Sequence, residues 1–179
     1  IWPDGLESSL ENVPVNKLIT IEQTQAVPSV EKKGATPNET ILNDVTRSSG
    51  LDFKHVENRF IDFKMQRLLH YQLSRLGGMF SKADVNKDGN DDLFFGGASG
   101  QPGALFLGQD DGTFRKGPAQ PWEQDAACED MSSVFFDADG DGDVDLYVVS
   151  GGSEFNAGAP LYQDRLYVNN GKGVFAKTQ

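Results

Sequence analysis

The chain has 179 residues, 37% of them hydrophobic and 10% aromatic, proportions of a soluble folded domain rather than a disordered segment. A net charge of −11 excludes a nucleic-acid ligand, because phosphate binding needs a basic face. No apolar run approaches the ~18 residues of a membrane span, and a single cysteine, Cys128, excludes an internal disulfide.

In chain order, Trp2-Pro3-Asp4-Gly5 reads as a turn, and the β-branched run Leu18-Ile19-Thr20-Ile21 predicts a short strand, giving a small β segment over 1–24. Residues 25–40 lack apolar periodicity and read as a linker. From Ile41 the character changes, and Leu51 and Phe53 alternate with polar residues. Between Phe60 and Leu76 two patterns compete. Ile61, Phe63 and Met65 alternate like a strand, whereas Met65, Leu68, Leu69, Leu73 and Leu76 could line a helix. An irregular crossing with one helical turn is expected there.

Beyond Gly77 the sequence repeats. Each unit, about 77–117 and 130–179, reads as strand, acidic loop, strand, strand, turn, strand. The loops begin at Asp84 and Asp137, 53 positions apart, a spacing within the range of a four-stranded propeller blade. The second unit is longer, with its extra residues expected between Ser153 and Arg165. The predicted fold is all-β: antiparallel blades of an incomplete propeller, with the other blades outside this chain, since a closed ring needs about four or more. Ile at position 1, in place of Met, agrees with a processed or truncated piece.

The acid is concentrated in the loops, with net −3 over 84–92 and −5 over 137–145. Such clusters repel themselves unless a cation occupies them. Both fit D-x-[DN]-x-D-G-x-x-D, in which oxygens at positions 1, 3, 5 and 9 and a carbonyl at 7 suit calcium, while Gly at 6 permits the sharp turn. The expected ligands are Asp84, Asn86, Asp88, the Asn90 carbonyl and Asp92, and then Asp137, Asp139, Asp141, the Asp143 carbonyl and Asp145. Asp91 falls off this register and is expected in solvent. An EF-hand would need Glu at position 12, where Phe95 and Val148 stand. Magnesium fits less well because it keeps its waters, and zinc less still, with no Cys or His nearby. Two structural Ca2+ sites are therefore expected; the bland alternative is a pair of solvated Asp-Gly turns.

At these residues the chain resembles the FG-GAP (VCBS-type) repeats of integrin-α-like β-propellers. Phe95-Gly96-Gly97-Ala98 is similar to that family's Phe-Gly-Gly-Ala segment, Gly158-Ala159-Pro160 to its Gly-Ala-Pro, and Leu166–Phe175 to its closing hairpin. Asn43-Asp44-Val45-Thr46 with Ser49-Gly50-Leu51 resembles the lead-in strand before such propellers. Trp2-Pro3-Asp4-Gly5, Asn12-Val13-Pro14 and Ile19-Thr20-Ile21 resemble the end of an ASPIC/UnbV domain, so that the chain would begin inside one domain and end inside another. The resemblance implies a secreted or cell-surface protein, notably of a bacterial envelope, that recognises a protein or carbohydrate ligand. Open blade edges imply self-association as well.

Two other function classes remain open. A polysaccharide-active enzyme would need paired carboxylates outside the loops, Glu123 with Asp125 or Glu129 with Asp130. A purely structural spacer would need no ligand. His55 and His70 lack metal-binding spacing, and His55, near Asp52 and Glu57, reads as a surface residue. Cys128 reads as an incidental buried thiol, and Trp122, Phe155 and Tyr162 as packing residues of their connections.

Overall fold

The computed structural model describes residues 2–4, 6–28 and 42–178. The chain divides into two compact units, Ile1–Asn43 and Asp44–Gln179. In the first, β1 (Leu6–Glu7) pairs antiparallel with β2 (Val27–Pro28). The strand expected at Leu18–Ile21 does not form, and Leu18 is almost wholly exposed. β propensity is realised only where a partner strand and a buried face exist, and the pairing here has gone to other residues. A 3-10 turn at Gln23–Gln25 and then β2 occupy the start of the expected linker. Positions 29–41 lie outside the described residues.

The second unit opens with turns over 46–48 rather than the expected lead-in strand. Asp44 accepts the Thr46 N–H (3.0 Å), the local side-chain bond that favours a turn. The crossing that follows carries one α-helical turn, α1 (Asp62–Met65), and a 3-10 turn at Leu73–Arg75, one helical turn more than expected. Two four-stranded antiparallel sheets come next, each a simple meander. The first contains β3 (Phe80–Ala83), β4 (Asp92–Phe95), β5 (Ala104–Gly108) and β6 (Phe114–Lys116). The second contains β7 (Asp130–Phe136), β8 (Asp145–Ser150), β9 (Arg165–Asn169) and β10 (Phe175–Lys177). This all-β arrangement, two blade-like sheets that do not close into a ring, is the one expected of an incomplete propeller.

Period-two alternation decides which face of each strand is buried. Arg165, Tyr167 and Asn169 of β9 point inward, as do Asp92 and Phe94 of β4. The resulting core is common to both sheets. Val85, Phe94, Leu105 and Leu107 meet Leu146, Val148, Tyr167 and Phe175, with Trp122 from the connection between the sheets in the middle. Trp122 is 2% exposed and packs edge-on against Phe94 (centroids 5.1 Å apart) and Tyr167 (5.4 Å). Removing such a side chain costs about 3–5 kcal/mol. Alongside this core, the Ser133 hydroxyl of β7 bonds the Ser81 hydroxyl of β3 (2.9 Å). The blades thus meet through their first strands and through the tryptophan between them.

Candidate metal-binding loops

Both acidic loops close the first hairpin of their sheet, and both leave it at the same register. Ala83 pairs with Asp92 across the first, and Phe136 with Asp145 across the second. The turn needs left-handed backbone twice, at positions 4 and 6. The first loop supplies Lys87 (φ 61°) and Gly89 (φ 91°), the second Gly140 (φ 82°) and Gly142 (φ 85°). Only glycine adopts this conformation without cost, so Lys87 holds its position under strain.

The alternating oxygens fold over the turn by accepting backbone N–H groups ahead of them. Asp84 accepts from Asp88 (3.2 Å) and Gly89 (2.9 Å), and Asp137 accepts from Gly140 (2.7 Å) and Gly142 (3.1 Å). Asn86 and Asp139 each accept the N–H two residues on, at 3.0 and 3.2 Å. Asp88 and Asp141 do the same toward Asn90 and Asp143, both at 2.8 Å. Asp91, off this register, is exposed and pairs with Lys82 (2.7 Å).

The position-9 aspartates are fully buried, and they perform the same double task. One oxygen of Asp92 accepts the Val85 N–H (2.9 Å) and the other the Gly108 N–H of β5 (2.8 Å). Asp145 accepts Ala138 N–H (2.9 Å) and Asn169 N–H of β9 (2.8 Å). Each carboxylate therefore ties its loop to the third strand of its own blade. Burial raises the Asp92 pKa, against the lowering effect of its two backbone donors.

The loops differ in how closely their acids converge. Carboxylate oxygens of Asp137, Asp139 and Asp145 lie within 4.8 Å of one another, whereas Asp84, Asp88 and Asp92 form no such group. Asp141 stays outside the convergent set, and Asp143 turns its side chain to Lys87 of the first loop in an ion pair. Partial desolvation, with the charges of Asp141, Asp145 and Asp137, raises the Asp139 pKa. In the first loop the Asn86 amide spans to Asp88 (2.9 Å) and the Asn90 amide to Asp110 (2.9 Å). The backbone bond from Asn90 and the side-chain bond from Asn86 hold the Asp88 pKa low. The donors in both loops are all oxygen, with no sulfur or imidazole, a set that fits a hard cation.

Residues 84–148 match the family model of the FG-GAP-like repeat. The FG-GAP-like stretch takes in both acidic loops and the strands from β4 into β8. No curated protein matches the chain. Among the described residues no helix is long and apolar enough to cross a membrane.

Three contributors to the FG-GAP-like loops escape a reading by spacing. Asn169 supplies the N–H on Asp145, and its amide also donates to Val85 (2.7 Å) and Val144 (3.0 Å), joining the two loops. Lys87 bridges to Asp143, and Asp110 holds Asn90. For Lys87 a signal does exist: it stands where the second loop has Gly140.

Two of the carboxylates considered for catalysis, Asp125 and Asp130, are engaged in ion pairs. Asp125 accepts the Tyr167 hydroxyl (2.7 Å) and the Lys177 ammonium (2.6 Å), and Glu123 beside it is exposed. Asp130 forms a buried pair with Arg165 and accepts the Gly97 N–H (2.8 Å). Cys128 is buried, and burial pushes its thiol pKa up, away from nucleophilic use. His55, expected on the surface, is instead half-buried between Gly96 and Glu57.

Proposed function

We propose that the two FG-GAP-like loops bind Ca2+ as structural staples of a β-propeller-like module that serves extracellular recognition. The observation that carries this reading is one hydrogen-bond scheme repeated in two loops. In each, the side chains at positions 1, 3 and 5 fold over the turn, and a buried aspartate at position 9 reaches the third strand. A cation held by such a loop would join the turn to the blade without offering a coordination position for chemistry. Aspartates gathered to within 4.8 Å repel one another unless a cation offsets their charge, which favours an ion over solvated turns.

The wider reading follows from the repeat family. It takes the module as secreted or surface-bound, presenting loops to a protein or carbohydrate, with a further copy of the chain able to pair with its sheet edges. It takes the N-terminal unit as ASPIC/UnbV-like. Thermal melts test the calcium component. In EDTA the chain should melt lower than in Ca2+, Mg2+ should restore less, and Asp88→Ala with Asp141→Ala should abolish the Ca2+ shift. Identical melts in EDTA and Ca2+ would reject the staples. Retention on immobilised glycans or matrix proteins in Ca2+, lost in EDTA, would support the recognition component.

A further inference from the structure

Outside both acidic loops, a second set of ionisable groups converges where the lead-in segment crosses the two blades. One ring nitrogen of His55 and one carboxylate oxygen from each of Glu57 and Glu129 lie within 4.8 Å of one another. Glu129, immediately before β7, is completely buried, whereas the side chains of His55 and Glu57 keep 21% and 26% of their exposure. The cluster is thus closed on the protein side and open to ions from solvent.

Its hydrogen bonding is incomplete in a particular way. Glu129 accepts the Ser99 N–H on one oxygen (2.7 Å), but its other oxygen has no partner among the described residues. The same holds for one buried oxygen of Glu57 and both of the neighbouring Glu154. A buried carboxylate oxygen without a partner costs several kcal/mol unless a proton or a cation reaches it. Burial, reinforced by the charges of Glu57 and Glu154, raises the Glu129 pKa to about 7. A proton on Glu129 would neutralise that one group, leaving Glu57 and Glu154 with three unpartnered oxygens.

The histidine is oriented as a ligand would be. Its Nδ1 faces the Gly96 carbonyl (3.2 Å) and its Nε2 faces Glu57 (2.9 Å). With the Nδ1 proton on Gly96, the Nε2 lone pair points at a carboxylate, an arrangement that a cation between them satisfies. The backbone around His55 is fixed from both sides. Gln101 accepts the Val56 N–H and donates to the Lys54 carbonyl, each at 2.8 Å, and Phe53 stacks on Phe95 (5.4 Å). Two glycines admit the cluster. A Cβ on Gly77 would come 2.8 Å from Glu129 Oε1, and one on Gly78 would come 3.1 Å from the His55 ring.

We propose that His55, Glu57 and Glu129 form a site for a first-row divalent transition metal, which clips the lead-in segment to the junction of the two blades. Imidazole with carboxylates suits Zn2+, Fe2+ or Mn2+ better than Ca2+, which takes oxygen ligands. Bonds of about 2.1 Å set ligand atoms about 3.4 Å apart in a tetrahedral site, so a metal between His55 Nε2 and Glu57, now 2.9 Å apart, opens that pair slightly. The Gly96 carbonyl and the Ser99 N–H, both on the β4–β5 connection, orient two of the ligands from behind. The metal therefore joins three parts of the unit: the lead-in segment, the first blade and the start of the second.

Zn2+ titration of the full chain, stripped with EDTA and then held in excess Ca2+, tests the site. One Zn2+ per chain is expected. His55→Gln and Glu129→Gln should each weaken it at least about tenfold, while His70→Ala and the pair Asp88→Ala with Asp141→Ala leave it unchanged. No Zn2+ binding, or binding that survives both His55→Gln and Glu129→Gln, overturns the proposal. Should those variants fail to fold, the wild-type chain decides: Zn2+ must shift the His55 ring signals in NMR and leave those of His70 in place. Shifts at His70 alone overturn it.

Discussion

The two acidic loops share a backbone scheme and differ in charge. At position 9 they are interchangeable: Asp92 and Asp145 are both fully buried, and both bridge position 2 to the third strand. At positions 3 and 4 they part. The first loop has Asn86 and a strained Lys87, the second Asp139 and Gly140. The second therefore gathers three carboxylates within 4.8 Å, while the first closes on its own amides and sends a lysine to its neighbour. The difference teaches that two parts of this motif are separable. The buried aspartate ties the hairpin to its blade through hydrogen bonds, and the outer oxygens carry the charge on which the proposed cation binding depends.

The largest effect should come from the part the loops share. Asp92→Ala or Asp145→Ala leaves two buried N–H groups without acceptors, and each should cost about 4 kcal/mol. The cost should be equal in EDTA, read as urea midpoints; a large inequality would break the equivalence. Glu129, outside both loops, gives a contrast that responds to pH. Its folded value of about 7 exceeds the ordinary 4.5, so the metal-free folded state binds the extra proton between those values. This stabilisation is full below pH 4.5 and is lost as pH rises through 7, up to about 3 kcal/mol at 1.36 kcal/mol per unit. Glu129→Gln should flatten that slope in EDTA, and an unchanged slope would assign it to other groups.

Next in size is the response to calcium. Saturation to a hundred times the dissociation constant adds about 2.7 kcal/mol per site. Asp141→Ala should remove more of the shift than Asp88→Ala, because the second loop carries the greater charge; the reverse order would contradict that ranking. The smallest effect belongs to Lys87→Gly. It relieves left-handed strain of about 1–2 kcal/mol and gives up an ion pair between an exposed lysine and the largely buried Asp143, worth less because the lysine end is solvated. A net gain of up to about 1 kcal/mol in EDTA is expected in chemical denaturation. Lys87→Ala, which loses the pair and keeps the strain, should destabilise.

Much of this was legible in the sequence, for reasons particular residues make plain. Asp-x-Asn-x-Asp-Gly in the first loop and Asp-x-Asp-x-Asp-Gly in the second mark where the positive-φ glycine must fall, so Gly89 and Gly142 sit as the spacing requires. Strand runs such as Leu146–Val149 had only to be bounded by turns. What was hidden depends on distant partners. Asn169 reaches the loop from 24 positions beyond Asp145, and no local pattern marks it. His55 and Glu129 are far apart in the chain; His55 reads as a surface residue and Glu129 as half of a carboxylate pair with Asp130, and nothing local joins them. Leu18–Ile21 failed in the opposite sense: its local preference is for strand, but no neighbour pairs with it among the described residues.

Calorimetric titration of the EDTA-stripped chain with Ca2+ tests the central claim most directly. Two sites are predicted, the tighter lost in Asp141→Ala and the weaker in Asp88→Ala. No heat of binding, or binding that neither substitution alters, would contradict the loops as calcium staples.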